Sequence, residues 1–237
     1  MAKVLFINPV VREEDNPRHV PYGMATLAAI AMKKGHQVQV YDQNAWRKPP
    51  EVIDSVFKAD QWDVIALGSI SSAYKSVKEI IQQARELCPD SLIILGGGIL
   101  TSIPQDIMNF LPQIDVGVVG EAYQTFPEIL EMVDAGKREW TQIHGTISRK
   151  EDGDLILSPQ RALIENLDIL PYPAVSLFPI EEIYFPNSQA LWSEEGMLAQ
   201  RRLDINGSIG CSMICRYCYH LGIAGDMRYE NDAEGNL

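Results

Sequence analysis

The residues best suited to chemistry are three cysteines close together near the carboxyl end of the chain. Cys211, Cys215 and Cys218 form a CxxxCxxC motif that holds three of the four cysteines. Three thiolates on one short loop can each bind one iron of a [4Fe–4S] cluster and leave the fourth iron open, whereas a ferredoxin cluster or a structural zinc site needs a fourth protein ligand. The spacing therefore predicts a cluster with one open iron. A zinc site completed by His220 is the alternative.

The remaining cysteine is expected to have no chemical role. Cys88 precedes Pro89 at the end of a helical stretch, which is typical of a core or cap residue. No signal peptide or long apolar span indicates an oxidising compartment, so a disulfide is not expected.

Length and composition restrict the class of protein. With 237 residues, 46% of them apolar, the chain can bury one full domain and part of a second, and no segment has the length and hydrophobicity of a membrane span. We expect a soluble, cytoplasmic protein. The net charge of −12 argues against non-specific nucleic-acid binding, which depends on Lys and Arg. A small-molecule or peptide substrate fits better.

The first 135 residues alternate between strand and helix patterns. The strand-like runs are Lys3–Asn8, Gln37–Tyr41, Asp63–Leu67, Ser91–Leu95 and Asp115–Val119. The helical candidates are Tyr22–Lys34, Glu51–Lys58, Tyr74–Leu87, Pro104–Phe110 and Tyr123–Val133. Five such units predict an α/β fold with a Rossmann-like, doubly wound, five-stranded parallel sheet. Because the strands contain few polar residues, helices should cover both faces.

The loops after these strands contain the candidate ligand-binding residues, since ligands of such sheets bind beyond the carboxyl ends of the strands. The first strand lacks GxGxxG, and the triple glycine at 96–98 lacks the Lys-Ser/Thr of a P-loop, so a nucleotide is disfavoured. Glycines and small hydroxyls would instead suit a broad, flat ligand. The candidates in these loops are Asn8, Pro9, Ser69, Ser72, Gly96, Gly97, Gly98, Thr101, Gly120 and Glu121.

The cysteine motif resembles the signature of the radical S-adenosylmethionine (SAM) superfamily, CxxxCxΦC, in which Φ is aromatic. Tyr217 occupies that position. The resemblance implies that the open iron chelates the amino and carboxylate groups of SAM, with Tyr217 beside the cofactor. It also implies an external electron donor of the flavodoxin or ferredoxin type.

The amino-terminal pattern resembles the cobalamin-binding domain that precedes the radical SAM domain in a large subfamily. The matching pieces are Asn8-Pro9, Pro21-Tyr22-Gly23, the segment 35–42, Gly96-Gly97-Gly98 and the segment 119–122. The resemblance adds Tyr22 and Gly23 to the candidate binding residues. The Asp-x-His-x-x-Gly string that supplies a histidine to cobalt is absent, and His36 is interpreted as structural. The resemblance therefore implies base-off cobalamin, with its nucleotide tail near Ser69, Ser72 and Gly97. Bulky residues at Ser69 or Gly97 are expected to weaken binding with little harm to the fold.

The second half of the chain is predicted to connect two domains. Segments 142–149 and 154–158 indicate a hairpin, and Leu167–Ala174 resembles the proline-rich linker of the same subfamily. Arg202–Ser208 is predicted to be the first strand of a radical SAM partial (β/α) barrel. The expected division is 1–137 for the cobalamin-binding-like domain, 138–200 for hairpin and linker, and 201–237 for the start of the barrel.

The resemblance as a whole implies the amino-terminal part of a cobalamin-dependent radical SAM enzyme. The first hypothesis is a methyltransferase that generates a 5′-deoxyadenosyl radical. The second is a cyclase or ring-rearranging enzyme. Only 19 residues follow Cys218, and a partial barrel needs over about 100 more. We therefore expect a fragment, a truncated product or one chain of a split enzyme completed by a second chain, inactive alone. A non-catalytic cobalamin- or metal-binding module is the rival from another class. A methylthiotransferase is largely excluded, because it would carry three further cysteines in its first domain, where this chain has only Cys88.

Overall fold

The protein is built around one mixed β-sheet with the strand order β2-β1-β3-β4-β5-β6-β7. The computed structural model describes residues 1–150, 152–188 and 201–209. The strands are β1 (Lys3–Asn8), β2 (Gln37–Asp42), β3 (Val64–Gly68), β4 (Leu92–Gly96), β5 (Val116–Val118), β6 (Thr146–Arg149) and β7 (Leu155–Leu157). The first five are parallel, which confirms the predicted parallel sheet.

Helices cover both faces of the sheet, as the apolar strands predicted. They are α1 (Tyr22–Lys33), α2 (Gln43–Trp46), α3 (Pro50–Phe57), α4 (Tyr74–Leu87), α5 (Gly98–Ser102), α6 (Pro104–Phe110), α7 (Ala122–Asp134) and α8 (Phe185–Asn187). Helices α1 and α7 pack on one face, while α3 to α6 pack on the other. In α4 the buried residues Val77, Ile80, Ile81 and Ala84 follow a three-and-four spacing, which forms the apolar stripe of a helix that packs on a sheet.

The predicted hairpin is part of the same sheet. Strand β6 pairs antiparallel with β5 through Thr146 and Val118, and β7 pairs with β6. An edge strand leaves backbone N–H and C=O groups unpaired, and the hairpin satisfies those of β5. The sheet therefore has seven strands instead of five. The first hairpin strand is shorter than predicted, because Trp140–Gln142 forms a 3₁₀ turn. The division at residue 137 stays a prediction, although the sheet continues beyond it.

The segment after β7 returns across the face formed by α1 and α7. The N–H of Ala174 donates to the carbonyl oxygen of Ala25 at 2.9 Å. Ile180–Tyr184 forms a π-helical turn, and Phe178 and Tyr184 are buried in the core of this face. The predicted linker thus completes one of the two hydrophobic cores.

Two expectations about single segments have clear outcomes. The prediction of a strand at Arg202–Ser208 is wrong, because residues 201–209 form no strand; an extended segment needs a neighbouring strand, and the described residues pair none with it. Cys88 ends α4 and contacts the carbonyl oxygen of Phe57 through Sγ at 3.6 Å, which confirms a cap residue. Within the described part of the chain, no helix is long and apolar enough to cross a membrane.

Candidate functional site

A pocket of about 390 Å³ opens at the carboxyl edge of the sheet. It continues between the sheet and the helices α1 and α7, where its walls are apolar. The rim is formed by residues 68–70, 96–98 and 120–123 together with Pro21 and Gly23. The deeper walls are formed by Phe6, Met24, Leu27, Ala66, Ile94, Val118 and Phe126. A cavity of this size and position is typical of a ligand site in a doubly wound sheet.

Small residues on the strands create the pocket. Ala66 and Gly96 face α1 and α7, the side of the sheet on which the pocket lies. A Cβ atom added at Gly96 would come no nearer than 3.7 Å to Val118, and one added at Gly23 would meet no atom within 4 Å. The first added atom of a side chain at Gly23 or Gly96 would therefore meet no clash, and both residues line the pocket.

Gly97 has a different function from its neighbour, and here one expectation is wrong. Its φ angle is +78°, and a Cβ atom would lie 2.6 Å from the carbonyl oxygen and 2.8 Å from the nitrogen of Ser69. Both the positive φ and the close approach require glycine. A bulky residue at Gly97 would therefore damage the loops themselves, contrary to the expectation that the fold would tolerate it.

Ser69 carries a polar group with no hydrogen-bond partner among the described residues. Its Oγ is buried, and none of the described residues forms a hydrogen bond with it. An unpaired buried hydroxyl destabilises the fold, because it has lost water without a replacement. Ser69 lines the pocket, so a bound ligand could supply the missing partner.

Two ionisable groups lie at the mouth of the pocket. Burial raises the pKa of Glu121. Burial, together with the nearby carboxylate of Glu121, raises the pKa of Tyr123 to about 12. Both shifts favour the neutral form, in which a carboxyl or a phenol can donate a hydrogen bond.

The structure brings seven of the twelve candidate binding residues in the described part of the chain to this pocket. They are Gly23, Ser69, Gly96, Gly97, Gly98, Gly120 and Glu121. Ser72 instead lines a neighbouring groove beside α4. The Oγ1 atom of Thr101 accepts from the N–H of Gly120 at 3.1 Å, so it supports the rim. The roles of all twelve in binding stay predictions.

The other three candidates are engaged elsewhere. Asn8 is buried and donates from Nδ2 to Oδ1 of Asp42 at 2.8 Å, while Pro9 is buried beside it. The hydroxyl of Tyr22 donates to the backbone carbonyl oxygen of Asp204. Cys211, Cys215, Cys218 and Tyr217 lie outside the described residues.

A buried cluster at the ends of β1 and β2 was not found from the sequence. The Oδ2 atom of Asp42 accepts from the hydroxyl of Tyr184 at 2.5 Å, and its Oδ1 accepts from the N–H of Ala45 at 2.9 Å. Burial raises the pKa of Asp42, although these hydrogen bonds oppose the shift. Burial and the Asp42 carboxylate raise the pKa of Tyr184. No local pattern marks this contact, because its partners are 142 residues apart.

The loop between β1 and α1 is held by a residue that the sequence did not single out. The guanidinium of Arg47 donates to the carbonyl oxygens of Arg12, Glu13 and Asp15 at 2.8, 3.0 and 2.9 Å. Arg47 has a φ angle of +49° at the end of α2. These bonds fix the loop at the same edge of the sheet as the pocket.

A larger groove of about 730 Å³ lies at the opposite edge of the sheet, before β3 and β4. Its lining includes both basic side chains and aspartates, and no candidate residue lines it. The amino edge of such a sheet is not where ligands bind in this architecture. We therefore assign the site to the smaller pocket.

The three described histidines offer no cobalt ligand at the pocket. His36 is buried at the amino end of β2, where its Nδ1 accepts from the N–H of Ala2 at 3.1 Å. This confirms its structural role. His19 contacts Asp204, and His144 contributes its carbonyl oxygen to Thr125. A cobalamin in this pocket would have no histidine ligand from the described residues.

Comparisons with known proteins agree with this geometry. The B12 binding domain family matches residues 9–130. The uncharacterized methyltransferase PH0819 of Pyrococcus horikoshii is 30% identical over 162 residues, which are 68% of this chain and 35% of that protein. The anaerobic magnesium-protoporphyrin IX monomethyl ester cyclase of Rubrivivax gelatinosus is 26% identical over 160 residues, which are 66% of this chain and 26% of that one. The chain thus spans about a third or less of these relatives.

A solved structure shares the fold. The radical S-adenosylmethionine methyltransferase TsrM of Kitasatospora setae, with cobalamin and a [4Fe–4S] cluster bound, has a TM-score of 0.59 and 20% identity, and the match covers 76% of this chain and 34% of that one. The family match extends over more than half of the chain and includes most of the pocket. The chain belongs to the B12 binding domain family.

Proposed function

We propose that this chain is the cobalamin-binding, amino-terminal part of a radical SAM methyltransferase. The observation that carries the proposal is the apolar pocket at the carboxyl edge, which is ringed by glycines. It contains the Ser69 hydroxyl, which has no hydrogen-bond partner among the described residues. The whole enzyme would act on a small-molecule or peptide substrate. When bound, cobalamin would supply a cobalt centre that carries the methyl group.

The residues of the pocket would hold the cofactor by shape and by one hydrogen bond. Ala66 and Gly96 leave space for a flat group between the sheet and α1. Phe6 and Phe126, whose ring centroids are 5.3 Å apart, would exclude water from that group. The Ser69 hydroxyl would form a hydrogen bond with a polar atom of the nucleotide tail of cobalamin. The rest of the cofactor would lie over the rim, beside Glu121.

The cysteine motif would hold the second cofactor. Cys211, Cys215 and Cys218 would ligate a [4Fe–4S] cluster, and SAM would bind its open iron beside Tyr217. The support is the spacing of the motif, with TsrM as a protein of the same fold that binds both cofactors. A flavodoxin- or ferredoxin-type donor would reduce the cluster.

A cyclase is the second candidate, because the Rubrivivax relative carries that activity in its name. A binding module without catalysis would also use the pocket, and it would not need the cysteines. Anaerobic reconstitution of the full chain distinguishes a radical SAM enzyme from a binding module without catalysis. About four irons per chain, lost when all three cysteines are replaced by Ala, support the radical SAM reading. Stoichiometric zinc without sulfide would contradict it.

The cobalamin proposal is tested by titrating the full chain with hydroxocobalamin, followed by absorbance. We expect a base-off spectrum, and Ser69→Ala should weaken binding roughly five- to tenfold through loss of one hydrogen bond. The free energy of unfolding of this variant should stay the same or rise slightly, because the hydroxyl that it removes is buried and has no partner among the described residues.

Ser158→Ala is the matched control for this experiment. Ser158 also has a buried hydroxyl, but its Oγ bonds to Ile143 and Thr146. This variant should lose about 1–3 kcal/mol of stability and keep its affinity for cobalamin. Equal affinities for the wild type and Ser69→Ala would remove Ser69 from the site.

A further inference from the structure

Two distant parts of the chain meet at the start of α1. The Tyr22 hydroxyl donates to the backbone oxygen of Asp204, 182 residues away. The Nδ1 atom of His19 lies 2.6 Å from Oδ2 of the same aspartate. Leu203 packs against the core beside them. The first residue of α1 and a residue just before the helix therefore both contact Asp204.

The same segment is held at its other end by the linker. Arg202 donates to the carbonyl oxygen of Ser188, and the guanidinium of Arg201 lies 4.7 Å from the ring centroid of Phe185. Phe185 directly follows Tyr184, whose hydroxyl bonds to the buried Asp42. The linker that precedes residue 201 is thus anchored to the sheet at Tyr184, which is fully buried.

These contacts lie next to the proposed cobalamin pocket. Pro21 and Gly23, on either side of Tyr22, both line it. The cysteine motif starts seven residues after Asp204, and seven residues of extended chain span at most roughly 25 Å. A contact at Asp204 therefore limits how far the motif can lie from the pocket.

We propose that Tyr22 and His19 are positioning residues that fix Asp204, and with it the chain leading to the cysteine motif, at the mouth of the pocket. The inference rests on the proposed function, since it concerns the distance between the two cofactors. It also gives Tyr22 a role other than contact with cobalamin. The contacts of Tyr22 and His19 with Asp204 form a latch. Both side chains of the His19–Asp204 pair are largely exposed, so this latch is weak enough to open.

The first test needs no cofactor. Hydrogen exchange of the full chain is compared between wild type, Tyr22→Phe and the control Tyr172→Phe, since Tyr172 is 93% exposed. Tyr22→Phe keeps the ring and removes the donor, so residues 201–209 should exchange roughly fivefold faster. The double variant Tyr22→Phe/His19→Ala should exchange faster still. Unchanged exchange in both variants would overturn the latch.

The second test measures the two cofactors directly. With cobalamin saturated and reduced to the Co(II) state, and with the cluster reduced, the dipolar coupling between them is recorded by electron paramagnetic resonance. Tyr22→Phe should weaken or broaden the coupling, while Tyr172→Phe should leave it unchanged. Equal coupling in wild type and Tyr22→Phe would show that the latch does not position the motif.

The two tests distinguish failure of this inference from failure of the proposed function. If the wild type binds no cobalamin, the proposed function fails and the positioning role falls with it. The exchange data would then report a structural contact only. If cobalamin and cluster both bind and the variant changes neither exchange nor coupling, the proposed function stands and this inference is wrong.

Discussion

The two faces of the sheet are packed differently at the same strand positions. On the face covered by α3 to α6, Ile65 and Leu95 are fully buried among large side chains. On the face covered by α1 and α7, their strand neighbours Ala66 and Gly96 leave a pocket. Because alternate residues of a strand point to opposite faces, one backbone carries a filled core and an open site. The difference between the filled face and the face with the pocket therefore comes from side-chain size and not from strand geometry.

The two faces also differ in where their side chains come from. The filled face draws on the strands, α3 to α6 and Ile147 of the hairpin. The pocket face needs Phe178 and Tyr184, which lie beyond the hairpin. The face that binds is therefore also the face that the following segment completes. A change in that segment should reach the pocket side first.

The largest effect is expected on the filled face. Leu95→Ala removes a fully buried side chain and should lower the free energy of unfolding by about 2–5 kcal/mol, measured by urea unfolding. The affinity of the folded protein for cobalamin should stay the same, because Leu95 does not line the pocket. A loss of affinity comparable to the loss of stability would show that the two faces are not independent.

A smaller effect is expected where the linker completes the pocket face. Tyr184→Phe keeps the packing of the ring and removes one of the donors to the buried Asp42, so the chain should lose about 1–3 kcal/mol of stability. Tyr172→Phe, at an exposed position, should change the unfolding midpoint very little. If Tyr184→Phe is as harmless as this control, the linker does not stabilise the pocket face through this contact.

The pH dependence of stability is the smallest expected effect. Burial raises the pKa of Asp42 in the folded chain above its unfolded value. Its contribution is fully present below about pH 4 and is lost as the pH rises through the folded pKa, because ionisation in the core is costly. The Asp42→Asn variant has no carboxyl to ionise at this position, so it avoids this loss of stability. The stability of the variant relative to wild type should rise between pH 4 and pH 8 in a series of urea titrations. Parallel pH curves would show that Asp42 does not titrate in this way.

The parts of the fold that local signals specify could be predicted from the sequence. The five parallel strands are short apolar runs, and Gly35 and Pro89 mark where the helices before β2 and β4 end. The rim of the pocket was also predictable, since glycines and a serine follow the strands whose carboxyl ends must share one edge. These signals depend on a few neighbouring residues only.

The parts that depend on distant partners could not be predicted. Ala66 looks like any strand alanine, and that it lines a pocket together with Ile94 and Val118 depends on the order of the strands in the sheet. Tyr184 lies in a segment whose pattern predicts a connector, yet its partner Asp42 ends a strand in the first third of the chain. The adjacent glycines 96 and 97 are identical in sequence, but one leaves space and the other supports a positive φ.

A hydroxocobalamin titration of wild type and Ala66→Leu shows whether cobalamin binds in the pocket on the face of α1 and α7. Leucine at position 66 would fill the pocket from the strand, without altering the rim. The account predicts one base-off cobalamin per wild-type chain and binding weakened at least about a hundredfold in Ala66→Leu, which should remain folded by circular dichroism. A wild-type chain that stays folded and binds no cobalamin at high micromolar concentration would contradict the account, and so would a variant that binds as tightly as wild type.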